Sequence, residues 1–168
     1  MHRRGLSLLA ATAGVTFLGV SVLAHPAPWL VWNASASAPL GLYWIMHDQA
    51  FSRGDLVLAE PPDTARRLAS ERGYLPADVP LVKRVAGLSG DTVCGAGVAI
   101  IINGRQVAER LSADSCGRPL PAWEGCLLLH GSETFLLMEG VPDSFDGRYF
   151  GPVESTAIIG RLVPLWTW

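Results

Sequence analysis

Of the thirteen Lys and Arg residues in this chain, twelve are arginine and one, Lys83, is lysine. It sits in Pro80-Leu81-Val82-Lys83-Arg84-Val85-Ala86. Strand alternation places Leu81, Lys83 and Val85 on one face and Val82, Arg84 and Ala86 on the other. An amine between two aliphatics on a core-leaning face is partly desolvated, which disfavours its charged form and lowers its pKa. A neutral amine takes a proton from a hydroxyl, whereas a guanidinium is not deprotonated in proteins. The competing account is an arginine-rich usage that left one lysine by chance, its stem lying over a sheet. The hydroxyl best placed by its surroundings is Ser37, in Asn33-Ala34-Ser35-Ala36-Ser37-Ala38-Pro39-Leu40-Gly41-Leu42-Tyr43. Small neighbours leave room for a substrate backbone, and Pro39 and Gly41 favour a tight turn. Serine is a poor nucleophile until a base removes its proton. Read alone, this stretch is a small-residue connector. A third segment, Asp143-Ser144-Phe145-Asp146-Gly147-Arg148-Tyr149-Phe150-Gly151, offers an Asp146–Arg148 ion pair across a turn and a hydroxyl, Ser144, able to orient an amine.

These residues need a scaffold, and the local signals are strand-like: short aliphatic runs punctuated by glycine and proline. Asp55–Ala59 follows the turn Ser52-Arg53-Gly54, and Leu81–Ala86 ends at Gly87-Leu88-Ser89-Gly90. Ala99–Ile102 and Gln106–Ala108 flank Asn103-Gly104, a hairpin signal because both turn residues tolerate positive φ. Leu127–His130 and Thr134–Met138 flank Gly131-Ser132, and Ala157–Leu165 supplies a closing strand. One helix is expected over Asp63–Arg72, with Asp63 as N-cap and Gly73 as stop. The expected domain is mainly β, a folded-over or barrel-like sheet with one short helix.

Taken together and in this order, S-x-S-x-P, K-R-V-x-G-x-x-G-D and S-x-D-x-R-x-x-G resemble the signal peptidase I family of serine proteases. Phe51-Ser52-Arg53-Gly54-Asp55-Leu56-Val57 resembles that family's further R-G-D box. Details are closer to its TraF-type branch, the peptidases of conjugative plasmid transfer: Ser37 to Trp44, Glu71-Arg72-Gly73-Tyr74, Gly117-Arg118-Pro119-Leu120-Pro121, the run Ser144 to Pro152, and a C-terminus ending in Trp. The resemblance implies a Ser/Lys dyad of Ser37 as nucleophile and Lys83 as general base. It implies an oxyanion hole from the Ser37 amide and the Ser35 hydroxyl, Ser144 orienting the lysine, and Asp146 near the site, structural before catalytic. Ser89 departs from the family, standing where proline is common. The substrate so implied is an exported precursor peptide, and in the TraF-type branch a pilin precursor. Its acyl-enzyme is resolved by water or by the pilin's own N-terminal amine. Partners would be that precursor, membrane lipid and a conjugation apparatus; no cofactor, metal or nucleic acid is implied.

Gly5–Ala24 is a run of 20 residues without charge, preceded by Arg3 and Arg4. At about 1.5 Å per helical residue it matches the roughly 30 Å hydrocarbon core of a bilayer. The flanking arginines predict a cytoplasmic N-terminus and an exported domain. Residues 1–24 are thus expected as a membrane anchor of the cytoplasmic (inner) membrane, or a signal segment, and 25–168 as a periplasmic peptidase domain. Trp29 and Trp32 suit the membrane–water interface. From His25 onward 11 Arg/Lys face 15 Asp/Glu, a net of −4, which argues against nucleic acid as partner. The whole chain, 168 residues with 49% hydrophobic and 17% charged content, is one domain with an appendage and leans towards membrane contact. Cys94, Cys116 and Cys126 match no zinc spacing. The glycines and prolines between Cys116 and Cys126 favour that pair as a disulfide, without excluding the other two pairings. Three rivals remain: a general signal peptidase, a Ser/His/Asp hydrolase using His47 or His130, and a non-catalytic subunit of a conjugation apparatus.

Overall fold

The computed structural model describes Thr12, residues 28–47 and residues 50–168. The expected anchor, Gly5–Ala24, lies outside the described residues apart from Thr12. Among the described residues no helix is long and apolar enough to cross a membrane.

The fold is mainly β. A seven-stranded antiparallel sheet is built from β1 (Leu30–Asn33), β2 (Gly41–Met46), β3 (Leu56–Ala59), β4 (Leu81–Gly87), β9 (Glu133–Leu136), β10 (Val153–Glu154) and β11 (Ile158–Thr167). Its order is β1-β2-β11-β3-β4-β9-β10. A second sheet, ordered β7-β6-β5-β8, contains β5 (Thr92–Ala96), β6 (Ala99–Ile102), β7 (Arg105–Glu109) and β8 (Gly125–Leu128). The mainly β expectation holds, with the strands divided between these two sheets. The Asn103-Gly104 hairpin forms between β6 and β7, with φ of 50° and 79° at its two turn residues. The segments flanking Gly131-Ser132 do not pair with each other: β8 adds to β5, and β9 to β4. The chain crosses there from one sheet to the other, which a local turn signal does not reveal.

The single expected helix is α1 (Asp63–Glu71). Pro62, not Asp63, occupies the N-cap, and Asp63 is the first helical residue with its charge in the first turn. The stop is as read. Gly73 takes φ of 73°, and the Gly73 and Tyr74 amides donate to the Ser70 and Ala69 carbonyls at 3.1 and 2.8 Å, a Schellman closure. A one-turn helix, α2 (Gly147–Phe150), has its N-cap at Asp146.

β4 is the strand that matters most for the site. Every residue in it except Arg84 is buried, because it lies in the middle of the larger sheet. Val82 joins a core with Tyr43, Ile45, Leu58 and Leu162, Val85 one with Val57 and Leu136, and Ala86 one with Val93, Phe135 and Leu137. Each buried aliphatic side chain contributes about 1.5–3 kcal/mol. The backbone carrying Lys83 is thus held from both faces of the sheet. The turn after β4 is tied down by Asp91, which accepts from the Leu88 amide at 2.7 Å and pairs with Arg53 of the R-G-D box. Ser89 lies at the exposed tip of that turn.

Cys94 and Cys126 form the disulfide, and Cys116 is free and exposed. The favoured Cys116–Cys126 pair is thereby corrected. Cys94 and Cys126 face each other in the β5–β8 register with Cα atoms 4.0 Å apart. Sheet pairing, not loop composition, selects the partner.

Candidate active site

Ser37 lies in the loop between β1 and β2, and the loop is shaped by Asn33, the residue that opens this stretch and to which the sequence alone assigns no role. Asn33, buried at the end of β1, donates from Nδ2 to the carbonyls of Ser35, Ala38 and Pro39 at 3.0, 3.1 and 3.0 Å. Its Oδ1 accepts from the Ser35 amide at 3.1 Å. The Tyr43 hydroxyl donates to the Pro39 carbonyl at 2.7 Å. Gly41 leaves the loop at φ of 143°, where a Cβ would collide with the Trp166 backbone oxygen. The signal in the sequence was an asparagine just ahead of a Ser-rich turn, the setting in which its amide replaces backbone bonds.

Lys83 reaches this loop from β4. Its Nζ is 3.2 Å from Ser37 Oγ and 2.9 Å from Ser144 Oγ. Among the described residues no carboxylate pairs with it in an ion pair. The residue is only 4% exposed. Burial lowers its pKa from 10.5 to about 8, Asp146 and Asp143 pull it back up, and Arg148 adds to the lowering. The result is an amine with two hydroxyl partners and a proton it can give up near neutral pH.

Ser35 Oγ lies 2.9 Å from Ser37 Oγ, and the Ser37 amide donates to it at 3.4 Å. Ser35, Ser37, Lys83 and Ser144 therefore converge on one point. Asp146 does not hydrogen-bond to Lys83. Its oxygens accept from the Met138 amide at 3.0 Å and from Arg148 Nε and Nη2 at 2.8 and 3.1 Å. Arg148 donates further to the carbonyls of Glu109, Pro142 and Met138 at 3.0, 3.1 and 2.9 Å. This fully matched pair fastens the segment that carries Ser144 to β7 and to the end of β9.

Two cavities meet at Ser37. One of about 360 Å³ is walled by Tyr74, Leu111, Leu120 and Phe145. The other, of about 300 Å³, runs along Val31, Trp32 and Val79. Ser35, Ser37, Lys83 and Tyr74 line both. A larger cavity of about 560 Å³, by Arg53, Arg84 and Asn103, contains none of these groups. Neither histidine lines the cavities at Ser37: His47 packs edge-on against Trp29 with centroids 5.3 Å apart, and His130 is exposed on the turn before β9.

A profile described as signal peptidase, peptidase S26, matches residues 3–167. The chain belongs to the signal peptidase S26 family. This peptidase-family member is 37% identical over 146 residues to a plasmid transfer protein TraF of Escherichia coli, covering 81% of this chain and 82% of that one. It is 34% identical over 180 residues to a probable conjugal transfer protein TraF of Sinorhizobium fredii, covering 99% and 93%. Against signal peptidase I V of Bacillus subtilis the identity is 32% over 92 residues, covering 49% and 55%. The likeness to the TraF proteins thus runs over far more of this chain than the likeness to that signal peptidase.

Proposed function

We propose that this chain is a membrane-anchored serine endopeptidase in which Ser37 is the nucleophile and Lys83 the general base. The observation that carries the reading is a buried amine, its pKa lowered to about 8, lying 3.2 Å from a serine hydroxyl. At pH 7 roughly one such amine in ten is neutral, against fewer than about one in a thousand for an unperturbed lysine. Ser37 Oγ attacks the scissile carbonyl carbon as its proton passes to neutral Nζ. The oxyanion is held by the Ser37 amide and the Ser35 hydroxyl, each such donor being worth about 3–4 kcal/mol. Collapse breaks the C–N bond, and the leaving amine takes the proton from the Lys83 ammonium. An acyl group is left on Ser37. Water, or the precursor's own N-terminal amine, then attacks that ester, with Lys83 again accepting a proton. Ser144 orients Nζ, and Asp146 acts by holding Arg148 and the Ser144 segment in place.

The substrate proposed is an exported precursor bound as an extended strand, with the two cavities at Ser37 receiving alternate side chains. A conjugative pilin precursor fits best, because the relatives matched over most of the chain are plasmid and conjugal transfer proteins. Residence at the inner membrane with a periplasmic catalytic domain has three supports. The run Gly5–Ala24 is uncharged. The Cys94–Cys126 disulfide suits an oxidising compartment. Exposed Trp29, Trp32, Trp44, Trp166 and Trp168 cluster on β1, β2, β11 and the adjoining ends, with Trp32–Trp168 and Trp166–Trp168 centroids 5.4 and 5.3 Å apart, as an aromatic belt requires.

The test is mass spectrometry of a co-expressed pilin precursor. Wild type yields a cut product, linear or lighter by one water, whereas Ser37→Ala and Lys83→Arg leave it uncut, a loss of at least about 10³-fold. Processing by Lys83→Arg at the wild-type rate would eliminate the dyad.

A further inference from the structure

Two of the segments shared with the TraF-type branch take no part in the dyad: Glu71-Arg72-Gly73-Tyr74 and Gly117-Arg118-Pro119-Leu120-Pro121. They are docked on each other through Asp114. Ser112–Leu120 is a closed loop, with the Leu120 amide donating to the Ser112 carbonyl at 2.9 Å and Ala113 bridging Pro119. Inside it, Asp114 Oδ1 accepts from the Cys116 and Arg118 amides, both at 2.9 Å. Its Oδ2 accepts from Arg118 Nε at 2.7 Å and from the Tyr74 hydroxyl, with Arg72 Nη1 at 3.6 Å. Arg72 Nη1 donates to the Pro119 carbonyl at 2.8 Å, Arg118 Nη2 to the Arg72 carbonyl at 3.2 Å, and the Arg118 guanidinium lies over the Tyr74 ring. Burial opposes charge on Asp114, but the hydrogen bonds from Tyr74, Arg118 and Cys116 outweigh it and hold the carboxyl well below the usual carboxylate range.

The loop so fastened faces the cavity on which Ser37 and Lys83 open. Leu111 and Leu120 line one side and Phe145 another, with Tyr74 shared between this cavity and its neighbour. Tyr74 is 5.5 Å from the Phe145 ring, which stacks on Tyr149 at 5.7 Å, and the Tyr149 hydroxyl accepts from the Leu111 amide at 3.1 Å. The loop is thus tied at its base to the segment bearing Ser144 and at its tip to the end of α1. A wall held at both ends cannot yield to a bulky side chain without breaking charged hydrogen bonds.

We propose that the Ser112–Leu120 loop, latched through Asp114 to Arg72 and Tyr74, is the specificity wall of the site and sets the size of uncharged side chain accepted beside Ser37. The inference rests on the Ser37/Lys83 reading. Its test uses the full chain in nanodiscs with N-acetyl-Ala-Ala-X p-nitrophenyl esters, X being Ala, Leu or Phe. The readout is the ratio of kcat/KM between these esters, in which a general loss at the dyad cancels. Wild type separates them by about tenfold or more, and Asp114→Asn collapses the spread to within about threefold. Leu120→Ala leaves the latch and moves the preference towards larger X. Wild-type ratios in a folded Asp114→Asn variant, or no discrimination by wild type, would overturn the proposal. Should Asp114→Asn fail to fold, Leu120→Ala decides alone, unchanged ratios counting against the wall. Failure of the underlying reading shows separately: Ser37→Ala would then hydrolyse the esters as fast as wild type, and the wall would fall with it.

Discussion

Lys83 and Arg148 are two basic side chains buried to nearly the same depth, 4% and 1% exposed, and the fold treats them in opposite ways. Arg148 has a carboxylate, Asp146, and three carbonyls matched to its donors. Its charge is permanent and fully accommodated. Lys83 has only the Ser37 and Ser144 hydroxyls, so burial works against its proton. A buried cation with every donor matched holds structure, whereas one left with hydroxyls alone is poised to change charge.

The same substitution at the two positions sharpens the contrast. Lys83→Met abolishes precursor processing, a loss of at least about 10³-fold in kcat/KM. Arg148→Met strands Asp146 without its partner and lowers stability by about 3–5 kcal/mol, read as a fall in Tm by calorimetry. Lys83→Met moves Tm the other way. A pKa of about 8 in the fold against 10.5 unfolded is a penalty on the order of 3 kcal/mol at neutral pH, which the apolar side chain relieves. Equal falls in Tm for both variants would erase the distinction.

The pH dependence follows from the same lowered value. Activity requires the neutral amine, so kcat/KM rises about tenfold per pH unit up to about 8 and levels above it. For stability the unfolded chain holds the lysine proton more tightly, so the folded state gains as pH rises from about 8 to 10.5 and gains nothing below that window. A flat activity profile between pH 6 and 8 would contradict the assignment.

Much of this contrast was legible in the residues themselves. The lone lysine in an arginine-rich chain, the alternation of β4 and the Asn103-Gly104 hairpin are local patterns, and local patterns survive into the fold. The ion pair of Asp146 and Arg148 was visible as a turn, but not its reach to Glu109 and Met138. Asn33 was passed over because its importance comes from three carbonyls that only the folded loop brings together. Asp114 was hidden for the same reason, its distant partners Arg72 and Tyr74 lying in the connection between α1 and β4, well before it in sequence. The β8–β5 pairing, and with it the Cys94–Cys126 bridge, is a long-range contact that no spacing announces.

Because Lys83 is the one lysine in the chain, labelling lysine Cε with carbon-13 gives a single side-chain signal whose shift follows its proton. Titrated by NMR in the full-length protein, that signal should move through a midpoint near 8. A midpoint above 10, in folded protein, would show an ordinary lysine and remove the base on which the proposed chemistry depends.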